Sequence, residues 1–416
     1  MKRNIFKKML ILMLITILIL GFASCSLINI PVIGAVTTYR LTDTGQTTSY
    51  GNDGEEINPS EGETLYGQDA DYTGVEASFT DNGDGTVGDN MTGLTWQQVP
   101  ASEKMSWEEA GVYCENLELG GYDDWRLPTV KELFAIGDFE TGWPFLDTNY
   151  FEFAEASEMP VGIDGGPQGD PLQGIVEDGE QSEMIPPPSM NGEESGSISK
   201  AQGQFWTSNF YYVGTTHGGA PTAFGVNHAT GHIKGYPSDV GGNMGKYARA
   251  VRGESNEENN FVDNGDGTIS DFATGLMWMA DDNGKGVEWE DALAYAEGLE
   301  YAGYDDWKLP NVKELQSIVD YSGVYPAIDE MYFNCAELEE NENYYYWTST
   351  SAYFSTISPG YYYAWYVAFG YAVGGDGEDT HGAGAVRFSA KYADSSATTE
   401  GGDNFMNSVR CVRVIN

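Results

Sequence analysis

The chain repeats itself, and this limits its folds more than any other feature does. Phe79-Thr-Asp-Asn-Gly-Asp-Gly-Thr-Val87 returns as Phe261-Val-Asp-Asn-Gly-Asp-Gly-Thr-Ile269. Thr92-Gly-Leu-Thr-Trp96 returns as Thr274-Gly-Leu-Met-Trp278, and Gly121-Tyr-Asp-Asp-Trp-Arg-Leu-Pro128 as Gly303-Tyr-Asp-Asp-Trp-Lys-Leu-Pro310. Pro144, Asp147, Tyr150 and Phe151 match Pro326, Asp329, Tyr332 and Phe333. Every pair lies 182 positions apart, so no net insertion separates the copies over this span. Self-similarity on this scale means one structural unit used twice.

Further along, the offset changes. Trp206-Thr-Ser and Trp347-Thr-Ser are 141 apart, so the first copy carries 41 extra residues between Phe153 and Trp206. That stretch is rich in Gly, Pro and Glu, holds Pro186-Pro-Pro188, and reads as a long surface loop. Arg249-Ala-Val-Arg252 and Arg410-Cys-Val-Arg413 are 161 apart, so the second copy has 20 extra residues before its end. The expected organisation is a leader plus first domain over 40–253, with an acidic insertion near 155–203. An acidic linker over 254–260 and a second domain over 261–416 follow.

Local chemistry fixes the elements within each copy. Asp-Asn-Gly-Asp-Gly between Phe79 and Val87 supplies residues that accept positive φ and predicts a turn joining two short strands. Asp89 to Gly93 is a second turn, before the strand that holds Trp96. Ser106-Trp-Glu-Glu109 is a capping box that opens a helix, with Ala110, Tyr113, Cys114 and Leu117 along one face. Thr129-Val-Lys-Glu132 opens a second helix through Leu133 and Ile136, and Asn311 takes the cap position in the second copy. Phe205 to Ser208, Thr222 to Ile233 and Tyr247 to Arg252 read as strands. The class is α+β: a hairpin, two helices, and a loop-rich antiparallel sheet closed by the last strand.

The N-terminus reads as an export signal over residues 1–24. Lys2, Arg3, Lys7 and Lys8 precede an apolar run from Met9 to Leu20, too short to span a bilayer comfortably. Phe22-Ala23-Ser24-Cys25 resembles a lipobox, with Phe22 where Leu is usual, which makes Cys25 the lipidation site and 25–39 a tether. The expected location is the bacterial cell envelope, lipid-anchored at the outer membrane or cell surface, with the lipid as the sole membrane contact. Without residues 1–24, 16 basic residues face 64 acidic ones, a charge of -48. Such a surface repels nucleic acid and anionic headgroups but leaves basic partners, divalent cations and neutral ligands open.

Taken together, these motifs resemble the Lcl C-terminal domain family, named after the terminal domain of a collagen-like bacterial adhesin. The resemblance covers roughly residues 40–416, twice over, with Asp43-Thr-Gly-Gln-Thr-Thr-Ser-Tyr50 and Gly67-Gln-Asp-Ala-Asp-Tyr72 similar to the leader common before such domains. It implies two tandem C-type-lectin-like domains and surface adhesion or recognition of an extracellular glycan or protein. No enzymatic activity comes with it. Sulfated glycans, associated with adhesins of this family, sit poorly with so acidic a chain. In such domains a first-helix cysteine commonly bonds one on the last strand. Here the first copy has Cys114 but Ala250, and the second has Cys411 but Ala296. Pairing of Cys335 or Cys114 with Cys411, or three free thiols, are all open, and the exported location permits a bridge.

Candidate binding residues lie in the aromatic clusters of the variable parts. Tyr211 and Tyr212 in the first copy, and Tyr344, Tyr345, Tyr361, Tyr362 and Trp365 in the second, look exposed and suited to stacking on sugars or anchoring an interface. Alternating strand residues with one buried face would give the same pattern. Asp81, Asp84 and Asp89, with Asp263, Asp266 and Asp271, could gather oxygen ligands for calcium, the one metal the pattern suggests. Gly83 stands where an EF-hand loop needs a ligand, and turn chemistry explains the same residues. The Glu-Pro-Asn, Gln-Pro-Asp and Trp-Asn-Asp triplets of calcium-dependent sugar binders are absent. No other cofactor is implied, and oligomeric state is open. Two further readings are a metal-dependent hydrolase using His217, His228 and His232, and an envelope spacer without a ligand.

Overall fold

In the computed structural model, residues 41–140, 142, 144–154, 203–255, 258–335, 344–353, 361–374, 377–393 and 405–415 are described. The export segment, Cys25, the tether and residues 155–202 of the insertion lie outside them. The leader holds a small antiparallel pair, β1 (Ser49–Tyr50) and β2 (Glu56–Ile57). Repeat one then runs β3 (Phe79–Asp81), β4 (Thr86–Asp89), β5 (Thr95–Gln97), α1 (Trp107–Glu115), α2 (Val130–Ala135), β6 (Gln204–Tyr211), β7 (Thr222–Asn227), β8 (His232–Pro237) and β9 (Val251–Arg252). Repeat two follows the same order: β10 (Phe261–Asp263), β11 (Thr268–Asp271), β12 (Leu276–Met279), α3 (Trp289–Glu297), α4 (Val312–Ser317), β13 (Tyr345–Ala352), β14 (Tyr363–Ala368), β15 (Val386–Ala390) and β16 (Val412–Val414). Among the described residues the sheets are antiparallel and the α-helices are four, an α+β class.

The local signals act as expected. Asp81 accepts from the Gly83 N–H at 2.8 Å and Asp84 from Thr86, closing the turn between β3 and β4. Ser106 with Glu109, Thr129 with Glu132, and Asn311 with Glu314 form reciprocal capping boxes. The last strand of each repeat completes a small sheet, β3-β4-β5-β9 in one and β10-β11-β12-β16 in the other. The stretch Thr222 to Ile233 is two strands rather than one, with a turn at 228–231 that places Gly231 at φ 75°.

Ion pairs fasten the Asp-Trp-Arg motif in both copies. Arg126 pairs bidentately with Glu132 and Lys308 with Glu314. Asp124 holds Arg252 over the Tyr122 ring, and Asp306 holds Arg413 over Tyr304. Arg249 and Arg410 are fully buried and spend their guanidinium N–H groups on backbone carbonyls, which stitches β5 and β12 to the segments ending each second half. Burial presses Arg249 down to about 9.

The two repeats share one central sheet, of order β13-β14-β15-β8-β7-β6. Ile233 pairs with Val226 inside repeat one, and Val386 with Val367 inside repeat two, so the two residues are equivalent. They also pair with each other across β8 and β15. An antiparallel pairing of equivalent residues relates the copies by an approximate twofold axis through this point. Gly235 donates to the His381 carbonyl at 2.7 Å beside it, and a Cβ on Gly235 would stand 3.0 Å from that oxygen, so glycine permits the approach.

Packing repeats the symmetry. Trp365 meets Phe139 of repeat one edge-on at 5.7 Å, and its counterpart Phe224 meets Tyr321 of repeat two at 5.3 Å. One core cluster draws on both copies, while a smaller one lies under the first helix of each. The leader departs from the symmetry. Its start bonds Ala135, Phe139 and Glu140 of repeat one, but it then docks on repeat two, where Gln46 exchanges two hydrogen bonds with the Ser351 backbone. Asp69 accepts from Thr44 and Thr350, and Lys391 donates to the Tyr50 and Gly51 carbonyls.

Candidate functional site

The acidic turns are occupied by their own backbone. Asp263 accepts from Gly265 N–H and Asp266 from Thr268, as their partners do in repeat one. Asp89 accepts from Met91 and Thr92, and buried Asp271 accepts from Asn259, Asn260, Ala273 and Thr274. These bonds give the carboxylates a structural role in closing the turns. Among the described residues no group of three or more His, Cys, Asp or Glu side chains could hold a metal ion.

The histidines do not lie on one strand face. His228 sits in the turn after β7 with Nε2 2.8 Å from the Leu133 carbonyl, and burial pushes it down to about 3. His232 begins β8, bonds Thr230 and packs its ring against Trp365 and Phe388. His217 contacts the Gly235 carbonyl at 3.0 Å. Each serves the fold where it stands. Cys114, Cys335 and Cys411 are free thiols.

The aromatic candidates separate into two groups. Tyr211, Tyr345 and Trp365 are core residues, which corrects the expectation that they are exposed. Both faces of β13 and β14 are buried: Tyr345 packs in the cluster under α3 of its own repeat, while the other repeat covers Trp365 and reaches Tyr211. Tyr345 receives a hydrogen bond from Val373 N–H, and burial lifts its hydroxyl to about 12. Tyr361 stacks on Tyr50 of the leader at 3.8 Å and donates to the Glu140 carbonyl, so it fastens the leader. Tyr362 packs among Tyr363 and Tyr392.

Tyr212 reaches the seam from repeat one, and Tyr344 belongs to a ring cluster of repeat two. Tyr212, 73% exposed, leaves the end of β6, packs on Phe210 and donates its N–H to the Gly323 carbonyl of repeat two at 3.3 Å. Val324 next to that glycine is exposed. Tyr325 follows, stacked with Tyr371 at 4.3 Å and inclined to Tyr344 at 6.3 Å. Tyr344 stands in the left-handed region at φ 47°, a conformation costly for a residue with a Cβ and found where a side chain must be aimed. Beside this row, Asp379 of repeat two accepts from Tyr211 and Thr215 of repeat one, pinning the extra segment of repeat two across the seam. Tyr325 and Tyr371 were not marked by the sequence, since their stacking joins residues far apart within repeat two.

The result is a face of partly exposed rings contributed by both copies, held by backbone and carboxylate bonds beneath. A small pocket lies away from it, lined by Lys131, Asn259 and Gln316. Rings on an open face can stack on the apolar side of a sugar or anchor a protein surface. Among the described residues no helix is long and apolar enough to cross a membrane. A family model described as Lcl C-terminal domain matches residues 85–252 and 267–413. No curated protein and no solved structure matches the chain.

Proposed function

The chain belongs to the Lcl C-terminal domain family through both repeats, and from that premise we propose that it is a non-enzymatic envelope protein that binds an extracellular ligand. Each repeat, with its hairpin, two helices and loop-rich sheet closed by the last strand, fits a C-type-lectin-like unit. The binding face is the cluster of partly exposed rings Tyr325, Tyr371 and Tyr344 with exposed Val324 and Tyr212, and the stacking of Tyr325 on Tyr371 beside Tyr344 carries the reading. The ligand is a neutral glycan or a protein, because so acidic a chain repels sulfated or otherwise anionic polymers. Lipidation at Cys25 holds the protein in the cell envelope, at the outer membrane or cell surface.

Glycan-array and cell-binding assays on the chain lacking residues 1–24, with and without calcium, test this. Binding is expected without calcium, and Tyr212→Ala combined with Tyr371→Ala weakens it at least about tenfold, some 1.4 kcal/mol. Silence across arrays and cells would instead support a spacer, and binding untouched by the double variant would move the site elsewhere.

A further inference from the structure

The leader reveals a groove that repeat one leaves open. On repeat two it lies along the channel between α3 and β13, from Asn52 on Glu290 at one end to Tyr72 on Glu297 at the other. Beneath it Trp289, Leu293, Ser349, Thr350 and Ser351 are buried. The matching residues of repeat one are Trp107, Gly111, Ser208, Asn209 and Phe210, and none of them is buried. Ser208 is exposed, and a Cβ on Gly111 would meet nothing within 4 Å. The same channel, built by the same motif, is filled by the leader in one copy and covered by no leader equivalent among the described residues in the other.

Its charge differs too. Lys391, the lysine that binds the leader backbone on repeat two, corresponds to Ser238, since Trp289 N–H bonds the Lys391 carbonyl as Trp107 N–H bonds that of Ser238. Glu290 and Glu297 persist as Glu108 and Glu115, and both are exposed. The channel of repeat one has thus lost a cation and kept its carboxylates. The leader, with Asp53, Glu55, Glu56, Glu61, Glu63, Asp69 and Asp71, is itself acidic and complements Lys391 rather than this channel.

We propose that the groove between α1 and β6 docks an extended, basic polypeptide segment of a partner protein, in the position that the leader takes on repeat two. Half-buried Trp107 and Phe210, 5.4 Å apart, give its apolar side chains a platform, and exposed Glu108 and Glu115 receive its cations. This goes beyond the reading above: the groove is a second surface, and its occupancy does not depend on the seam face binding anything.

The test is fluorescence anisotropy with a short labelled peptide alternating Lys and Thr around a central Tyr, against the same peptide with Glu for Lys. The protein is the chain lacking residues 1–24. Wild type binds the basic peptide at least about tenfold more tightly than the acidic one. Gly111→Trp, which fills the channel without changing charge, lowers that affinity at least about tenfold, whereas Tyr371→Ala at the seam leaves it unchanged. In wild type the basic peptide also slows amide exchange at 208–210, a readout that needs no variant. Equal binding by wild type and folded Gly111→Trp would reduce the attraction to general acidity and overturn the proposal. So would protection confined to other strands, or no binding of the basic peptide.

Discussion

Ile233 and Val386 occupy the same position in the two repeats and pair with each other across β8 and β15. The chain thus forms inside one molecule the isologous contact that two identical subunits would form between them. Both residues are fully buried, and the rings of Phe139, Trp365, Phe224 and Tyr321 pack around the same axis.

The first prediction is that the repeats unfold together. Ile233→Ala removes apolar volume shared by both and should cost about 2–5 kcal/mol. Urea unfolding followed by tryptophan fluorescence and by far-UV circular dichroism should give one coincident transition, shifted as a whole by the substitution. Two resolved transitions, with only one moved, would mean that the seam does not couple the copies.

The second concerns the divided cysteine pair. Cys114 shares a core cluster with Ala250, and Cys411 shares one with Ala296. Ala250→Cys and Ala296→Cys should therefore each form a disulfide, gaining about 2–4 kcal/mol. Burial lifts the Cys114 thiol to about 12 and pushes Cys411 up as well, so both stay protonated in the native state. The bridges should form during oxidative refolding and hardly at all on oxidising native protein. Peptide mapping after alkylation without reduction reads the outcome, and unpaired thiols in refolded protein would show that the two faces do not meet.

How much of this was legible in the sequence follows from how local each cause is. The Asp81 and Asp263 turns and the capping boxes at Ser106, Thr129 and Asn311 act within a few residues, and the repeat showed them twice. Trp365 was misjudged as exposed because strand alternation tells two faces apart but not which of them another repeat will cover, and Tyr345 because the first helix of its own repeat covers it. The seam pair and the docking of the leader on the distant copy join residues far apart in sequence, and no periodicity marks them. Tyr212 was marked, whereas Tyr325 and Tyr371, which stack across a long separation within repeat two, were not.

Lys391 should be the clasp of the leader. Its ammonium group, buried over the Trp289 ring at 4.2 Å, serves two leader carbonyls and the Ser351 hydroxyl, and burial pushes it well below the usual lysine range. Lys391→Met leaves the Tyr50 and Gly51 carbonyls without that donor, at about 1–3 kcal/mol for each one left buried and unsatisfied. Amide exchange over 41–76 should accelerate while the central sheet stays protected. Unchanged exchange in the leader would remove Lys391 from this role.

Asp69 makes the leader clasp sensitive to pH. Its carboxyl is fully buried between the Thr44 and Thr350 hydroxyls, and burial raises it from 3.8 to about 6 against the opposing effect of those two bonds. The folded state thus holds this proton more tightly than the unfolded chain does. The resulting stabilisation is complete below the unfolded value, declines as pH rises, and is lost above about 6. A shift of this size corresponds to roughly 3 kcal/mol. Wild type minus Asp69→Asn should therefore fall by that order between pH 4 and pH 7, because the amide does not titrate and the other carboxylates are common to both proteins. Urea midpoints at the two pH values measure the difference. A difference that stays constant, or that grows with pH, would mean that Asp69 is ionised in the folded protein throughout this range.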